Sequence, residues 1–269
     1  MNTADFTSRI DVILESVDAA SIAFNAGHVP VSVRDHVAEY GVIESAGLFE
    51  LFVGELFVDC LLDRTVVAKS LVPLASEREA ELVLFRSDQP EPFLSWLPYE
   101  VTEARAKRLL VDAEPFGRLR RRAADISVLK DLSIVRNFAA HGSDSSKRKF
   151  DDLCARRSYA GVTRASDYVL KREQGSTQLE LMLTRLKLMV AALTDPDEDN
   201  VLALLGSEDP WRTAAVAPRG RYRCETCSSE QTLPDPGQLV GCPTCRPTVC
   251  SSCGKRHGTE ARWLRLSVA

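Results

Sequence analysis

Residues 42–62 read VIESAGLFELFVGELFVDCLL, and this stretch decides the fold. Its apolar residues recur at helical spacing, which predicts a strongly apolar helix over about residues 37–63. Glu44, Glu50, Glu55 and Asp59 interrupt the run, so it is no membrane span. It belongs instead in the core of a helical bundle. On a helical wheel Glu44, Glu55 and Asp59 share one face, whereas Glu50 falls at the angle of Ile43, Phe57 and Leu61. A carboxylate in the middle of an apolar face has to be paired or neutral. Arg136 or His141 of the long helix described below can supply the cation; another arginine, or a place at the edge of the bundle, also answers the need.

Outward from this helix the pattern stays helical. Ile10, Ile13, Leu14 and Val17 predict a helix over residues 3–25, followed by a polar loop with Pro30. Pro73, Pro90, Pro92 and Pro98 break up the middle, after which residues 101–111 read as a helix. The helix after Pro115 reads as the longest, with a possible kink. It carries Val128, Leu129, Leu132, Val135 and Ala139 on one face and ends at Gly142. Residues 161–175 read as irregular, or briefly extended at Tyr168, Val169 and Leu170, and a last helix runs from Ser176 to Leu193. No strand alternation is sustained and no repeat is visible before the cysteines. The fold class expected is mainly α: a helical domain over residues 1–205, a linker over 206–220 rich in Pro, Ala and Gly, and a small module over 221–269.

The chain has 269 residues, of which 45% are hydrophobic and 27% charged, which excludes a disordered tail, a collagen-like repeat and a disulfide-dense mini-protein. Its first residues, MNTADFTSRIDVILESVD, place acids where a signal peptide needs a basic and then an apolar region, so a cytoplasmic location is expected. From Trp211 onward nine Lys or Arg face four Asp or Glu, about +5; the rest has 25 basic and 34 acidic residues, about −9. The two parts therefore differ in electrostatic character.

The long helix closes on Arg136-Asn137-Phe138-Ala139-Ala140-His141-Gly142. Asn137 and His141 are four apart and share a face, so the amide can orient the imidazole. Arg136 lies about 140° around the helix from His141 and reaches the same cleft only through its long side chain. An imidazole that moves a proton beside a guanidinium that neutralises charge suits reaction at a phosphodiester. A histidine in the last turn before a glycine is equally ordinary C-terminal capping. Arg118, Arg120, Arg121 and Arg122, upstream on this segment, form either a phosphate track or a solvated helix face.

The order of an acidic apolar helix (GVIESAGLFELFVGELF), a Pro-broken middle and a helix closing on IVRNFAAHG resembles the HEPN superfamily, and within it the branch called RiboL-PSP-HEPN. The resemblance covers roughly residues 37–195. The family's motif is Arg, four to six residues, then His, commonly with a polar residue straight after the Arg; Arg136, Asn137 and His141 match it. The resemblance implies a bundle that forms a homodimer, bringing two motifs into one composite cleft. For active members it implies metal-independent RNA cleavage, in which the 2′-OH attacks the adjacent phosphate and leaves a 2′,3′-cyclic phosphate and a 5′-OH. Glu50 is the match to the acidic residue that many members place near the pair. The resemblance also suggests a role in toxin–antitoxin or antiphage systems, with an antitoxin or defence partner.

Six of the eight cysteines form three CxxC pairs, Cys224/Cys227, Cys242/Cys245 and Cys250/Cys253, with His257 four residues on. Each pair presents two thiolates on a tight turn, and two pairs complete a tetrahedral Zn2+ site. The spacing predicts a zinc-ribbon-like module with at least one structural zinc and a hairpin between the first two pairs. Either Cys242/Cys245 or Cys250/Cys253 can share a metal with Cys224/Cys227, and His257 is a ligand or a surface residue. A module of about 50 residues needs such a staple. Redox or disulfide readings lack the βαβ pattern and the signal peptide they require. Basic residues with Tyr222 and Trp263 suit nucleic acid, a protein partner, or docking onto the acidic helical domain. Cys60 and Cys154 read as packing residues. Two functions compete: an RNA-cutting enzyme centred on Arg136 and His141, and a non-catalytic scaffold whose zinc module does the binding. A zinc-dependent transcription factor is disfavoured, because no basic recognition helix falls among the cysteines.

Overall fold

The structure, a computed structural model, describes residues 1–72, 74–87, 95–120, 123–173 and 175–195, and five strands between 216 and 267. The chain divides into two compact units, Met1–Pro196 and Asp197–Ala269. Unit one is mainly helical. In chain order it contains α1 (Thr3–Asn25), α2 (Val31–Leu61), α3 (Glu77–Ser87), α4 (Tyr99–Leu109), α5 (Gly117–Arg120), α6 (Ala123–His141), α7 (Asp144–Arg156), α8 (Ala165–Val169) and α9 (Gln178–Thr194). A short antiparallel pair, β1 (Arg172–Glu173) and β2 (Ser176–Thr177), precedes α9.

Helix α2 is the spine: α1, α6, α8 and α9 all pack against it. It starts at Val31, immediately after Pro30, six residues earlier than the periodicity suggested. Phe49, Phe52, Val53 and Phe57 are buried on it, and burying each such side chain contributes about 1.5–3 kcal/mol. Phe52 meets Phe6 of α1 with ring centroids 5.6 Å apart, and Phe57 stacks on Phe116 at 5.0 Å. The other end of the bundle has its own aromatic cluster. Phe138 of α6 stacks on Phe150 of α7 at 4.4 Å, and Phe150 abuts Tyr168 of α8. This cluster fixes the C-terminal turn of α6, where Gly142 takes the left-handed conformation (φ 56°) and returns its N–H to the Phe138 carbonyl.

Several elements differ from the sequence reading. The segment after Pro115 is helical at α5 and again at α6, and α2, with 31 residues, is longer than either. Tyr168 and Val169 are helical rather than extended: both are buried in α8, where core packing overrides β-branched preference. Helices α3 and α7 were not anticipated. Their polar faces obscure the period, although Ser143 caps α7 by accepting from the Ser146 N–H. The last helix starts at Gln178, two residues after the expected Ser176, and Thr177 caps it in a capping box with Glu180.

Unit two contains β3 (Val216–Ala217), β4 (Gly220–Cys224), β5 (Glu230–Leu233), β6 (Gly237–Gln238) and β7 (Trp263–Ser267). Strand β4 pairs antiparallel with both β5 and β7, and β3 pairs with β6. Strands β4 and β5 form a hairpin whose first strand ends on Cys224, whereas β5 and β6, which lie between the first two CxxC pairs in sequence, do not pair with each other. Cys224 ends β4 opposite Trp263. Cys227, Cys242, Cys245, Cys250, Cys253 and His257 lie outside the described residues.

Candidate active site at the end of helix α6

Arg136 sits on α6 five residues before the helix ends, with its side chain 30% exposed. Its Nη2 donates to Glu50 Oε2 at 2.5 Å, and its Nη1 donates to Asn137 Oδ1 at 2.8 Å. Glu50 is thus paired by Arg136 of the long helix, one of the outcomes its wheel position left open. A guanidinium carries five N–H donors, so three remain without a partner among the described residues.

Glu50 is held on its other oxygen as well. Oε1 accepts from the backbone N–H groups of Trp96 and Leu97, both at 3.2 Å, and from the Ser95 hydroxyl at 3.4 Å. That segment is itself fastened. Thr102 Oγ1 donates to the Trp96 carbonyl at 2.7 Å and Arg105 donates to the Ser95 carbonyl. The Trp96 ring packs 5.2 Å from Phe57 and lies under the Arg105 guanidinium. A cradle of main-chain donors favours the charged carboxylate and fixes its rotamer. Residues 95–97 carry no side-chain signature of this role; in sequence they belong to the Pro-broken middle.

Asn137 gives its amide oxygen to Arg136 and not to His141, contrary to the pairing that their helical spacing suggested. His141 is the last residue of α6; it is exposed and makes no hydrogen bond or ion pair among the described residues. The structure thus joins Glu50, Arg136 and Asn137 in one contact network and leaves the His141 imidazole, five residues further along α6, outside it.

The basic cluster upstream does not extend this site at Arg118. That side chain is buried, donating to the Glu114 carboxylate and to the Asp195 carbonyl at 2.5 Å. The side chains of Arg120, Arg121 and Arg122 are outside the described residues. Cys60 and Cys154 are free and buried, and burial pushes the Cys60 thiol up to about 12, as its neighbours Asp59 and Asp63 also do. No group of three potential metal ligands occurs among the described residues. No helix among them is long and apolar enough to cross a membrane. Compared with protein-family models, with curated proteins and with solved structures, the chain matches none.

Proposed function

We propose that the chain is a metal-independent endoribonuclease whose centre is Arg136 and His141, supported by Asn137 and Glu50. One observation carries the reading. Arg136 is anchored by Glu50 and Asn137, yet it is part exposed and retains donors, and it stands one and a half turns from an exposed imidazole on the same helix. Such a guanidinium is pre-organised for the non-bridging oxygens of a phosphodiester, where it would neutralise charge that grows in the transition state.

In the reaction, the neutral imidazole of His141 takes the proton of the 2′-OH as its oxygen bonds to the adjacent phosphorus. The bond from phosphorus to the 5′-oxygen breaks, and the leaving oxygen collects a proton from an imidazolium. The products are a 2′,3′-cyclic phosphate and a 5′-OH. A homodimer would bring two such imidazoles into one cleft, so that one acts as base and the other as acid. The HEPN-like order of motifs supports this reading, as it supports a toxin or antiphage-defence role with an antitoxin or defence partner. The spacing of the six cysteines supports a structural Zn2+ in the second unit, which would select RNA or a partner.

The test is cleavage of single-stranded RNA in EDTA by the parent protein and by the His141→Ala and Arg136→Ala variants. Cyclic-phosphate ends made by the parent and lost in both variants are expected. Equal cleavage by all three overturns the assignment, and RNA binding without cleavage favours a non-catalytic scaffold. Metal analysis of the purified protein, with at least one zinc per chain expected, tests the cysteine reading separately.

A further inference from the structure

A cleft of about 530 Å³ opens between α2 and α3, and Glu50 is among its lining residues. Its apolar lining comes from Leu51 and Val58 of α2, Leu84 of α3, and Trp96. Leu51 is 48% exposed on its edge, and Leu82, elsewhere on α3, is 45% exposed. Both helices also contribute carboxylates to the lining, Glu55 and Asp59 from α2 and Glu77 and Glu81 from α3. Arg64 pairs with two of these carboxylates, 2.6 Å from Glu77 and 3.9 Å from Asp59, and the Met1 ammonium pairs with Glu55, so the acids of the lining still outnumber their cations. Glu81 has no hydrogen bond or ion pair among the described residues.

We infer that this cleft is a docking groove for a basic amphipathic helix of a protein partner. Three properties favour that occupant. The α2 lining spans residues 50–59, about 13 Å, which is two to three turns of an opposing helix. An apolar lining between two helices receives an apolar stripe at i, i+3, i+4 and i+7. Carboxylates from both helices then complement Lys or Arg flanking that stripe, which selects for basic partners and rejects acidic ones. Glu50 lines the same cleft while holding Arg136, so an occupant would lie against the carboxylate that orients the candidate catalytic arginine. The binding inference itself does not depend on the proposed reaction.

The experiment uses the full-length protein and fluorescently labelled peptides of about 14 residues, roughly four helical turns. A small panel carries Leu, Val or Phe in the stripe with Lys elsewhere; the controls have the same composition in scrambled order, or Glu in place of Lys. Saturable binding of a striped basic peptide is expected, with both controls weaker. Glu77→Gln with Glu81→Gln, and separately Leu51→Ser, should each weaken it about tenfold, the equivalent of 1.4 kcal/mol. All three positions are exposed, so the fold should survive, which circular dichroism checks. Glu15→Gln with Asp18→Asn on the exposed face of α1 should change nothing. The inference is overturned if no panel peptide binds, if scrambled peptides bind equally, or if the groove variants bind like the parent. It is also overturned if spermine binds with the same dependence on Glu77 and Glu81, since the cleft would then take a small cation.

Discussion

Arg136 and Glu50, 86 positions apart in the chain, meet at 2.5 Å across the packed pair α2 and α6. Both side chains are mostly withdrawn from water, at 30% and 15% exposed. The pair therefore fixes one end of a functional candidate and at the same time joins two core helices.

This double role sets an order among Glu50 variants. Glu50→Gln keeps an oxygen for the Trp96 and Leu97 N–H groups and loses only the charge, a loss of about 1 kcal/mol. Glu50→Ala strands the guanidinium and both N–H groups, a loss of about 3 kcal/mol. Urea unfolding should return that order, and near-zero losses for both would mean that solvent already screens the pair.

His141 behaves oppositely. It is exposed and makes no contact that holds the fold, so His141→Ala should change stability by less than about 0.5 kcal/mol. RNA cleavage, if His141 moves the proton, should fall by about 10²-fold or more. A variant as stable and as active as the parent removes His141 from the mechanism.

Two glycines of α2 should respond differently to alanine. At Gly47 an added Cβ meets nothing within 4 Å, so Gly47→Ala should stabilise the helix by about 0.8 kcal/mol. At Gly54 the Cβ would stand 2.9 Å from Trp96 Nε1. The Trp96 ring is packed against Phe57 and its backbone N–H donates to Glu50, so the residue has little room to yield. Overpacking of about 1–3 kcal/mol should then exceed the helical gain, and Gly54→Ala should melt lower than the parent. Equal rises in melting temperature for both would show that the Trp96 packing is loose.

Cys60 gives a pH dependence. Its ordinary value is 9.0, and burial raises it to about 12 in the folded protein. Between those values the native state keeps a proton that the unfolded chain has released, so stability from this group is full below pH 9 and falls as pH rises towards 12. The same burial should protect the thiol: N-ethylmaleimide at pH 8 should leave the peptide containing Cys60 unmodified until the protein is unfolded, as read by mass spectrometry. Rapid native labelling would contradict the burial.

Asp125 is fully buried against Arg185, joining α6 to α9. Asp125→Ala leaves a cation with 14% of its side chain exposed and should lose about 3 kcal/mol. The replacement Asp125→Ala with Arg185→Leu should recover part of that loss, and failure to do so would show that Asp125 serves more than this pair.

The sequence by itself determined the elements whose residues meet the same local requirement along a whole helix. The period of α1, α2 and α9 and the glycine stop at Gly142 are properties of neighbouring residues, and local geometry acts on them directly. It also singled out Glu50 as a carboxylate on an apolar face that had to be paired, neutral or at the edge of the bundle. Which cation answered, and what held the second carboxylate oxygen, was decided only by tertiary packing. Arg136 is distant in the chain, and the Trp96 and Leu97 donors are main-chain groups that every residue but proline possesses. The helical state of Tyr168 and the burial of Arg118 were settled in the same way, by neighbours far along the chain that supply the core contact and the carbonyl partner. Spacing therefore located the candidate site, and packing chose the partner of each of its groups, because hydrogen bonds and burial act on distance in space rather than on separation in sequence.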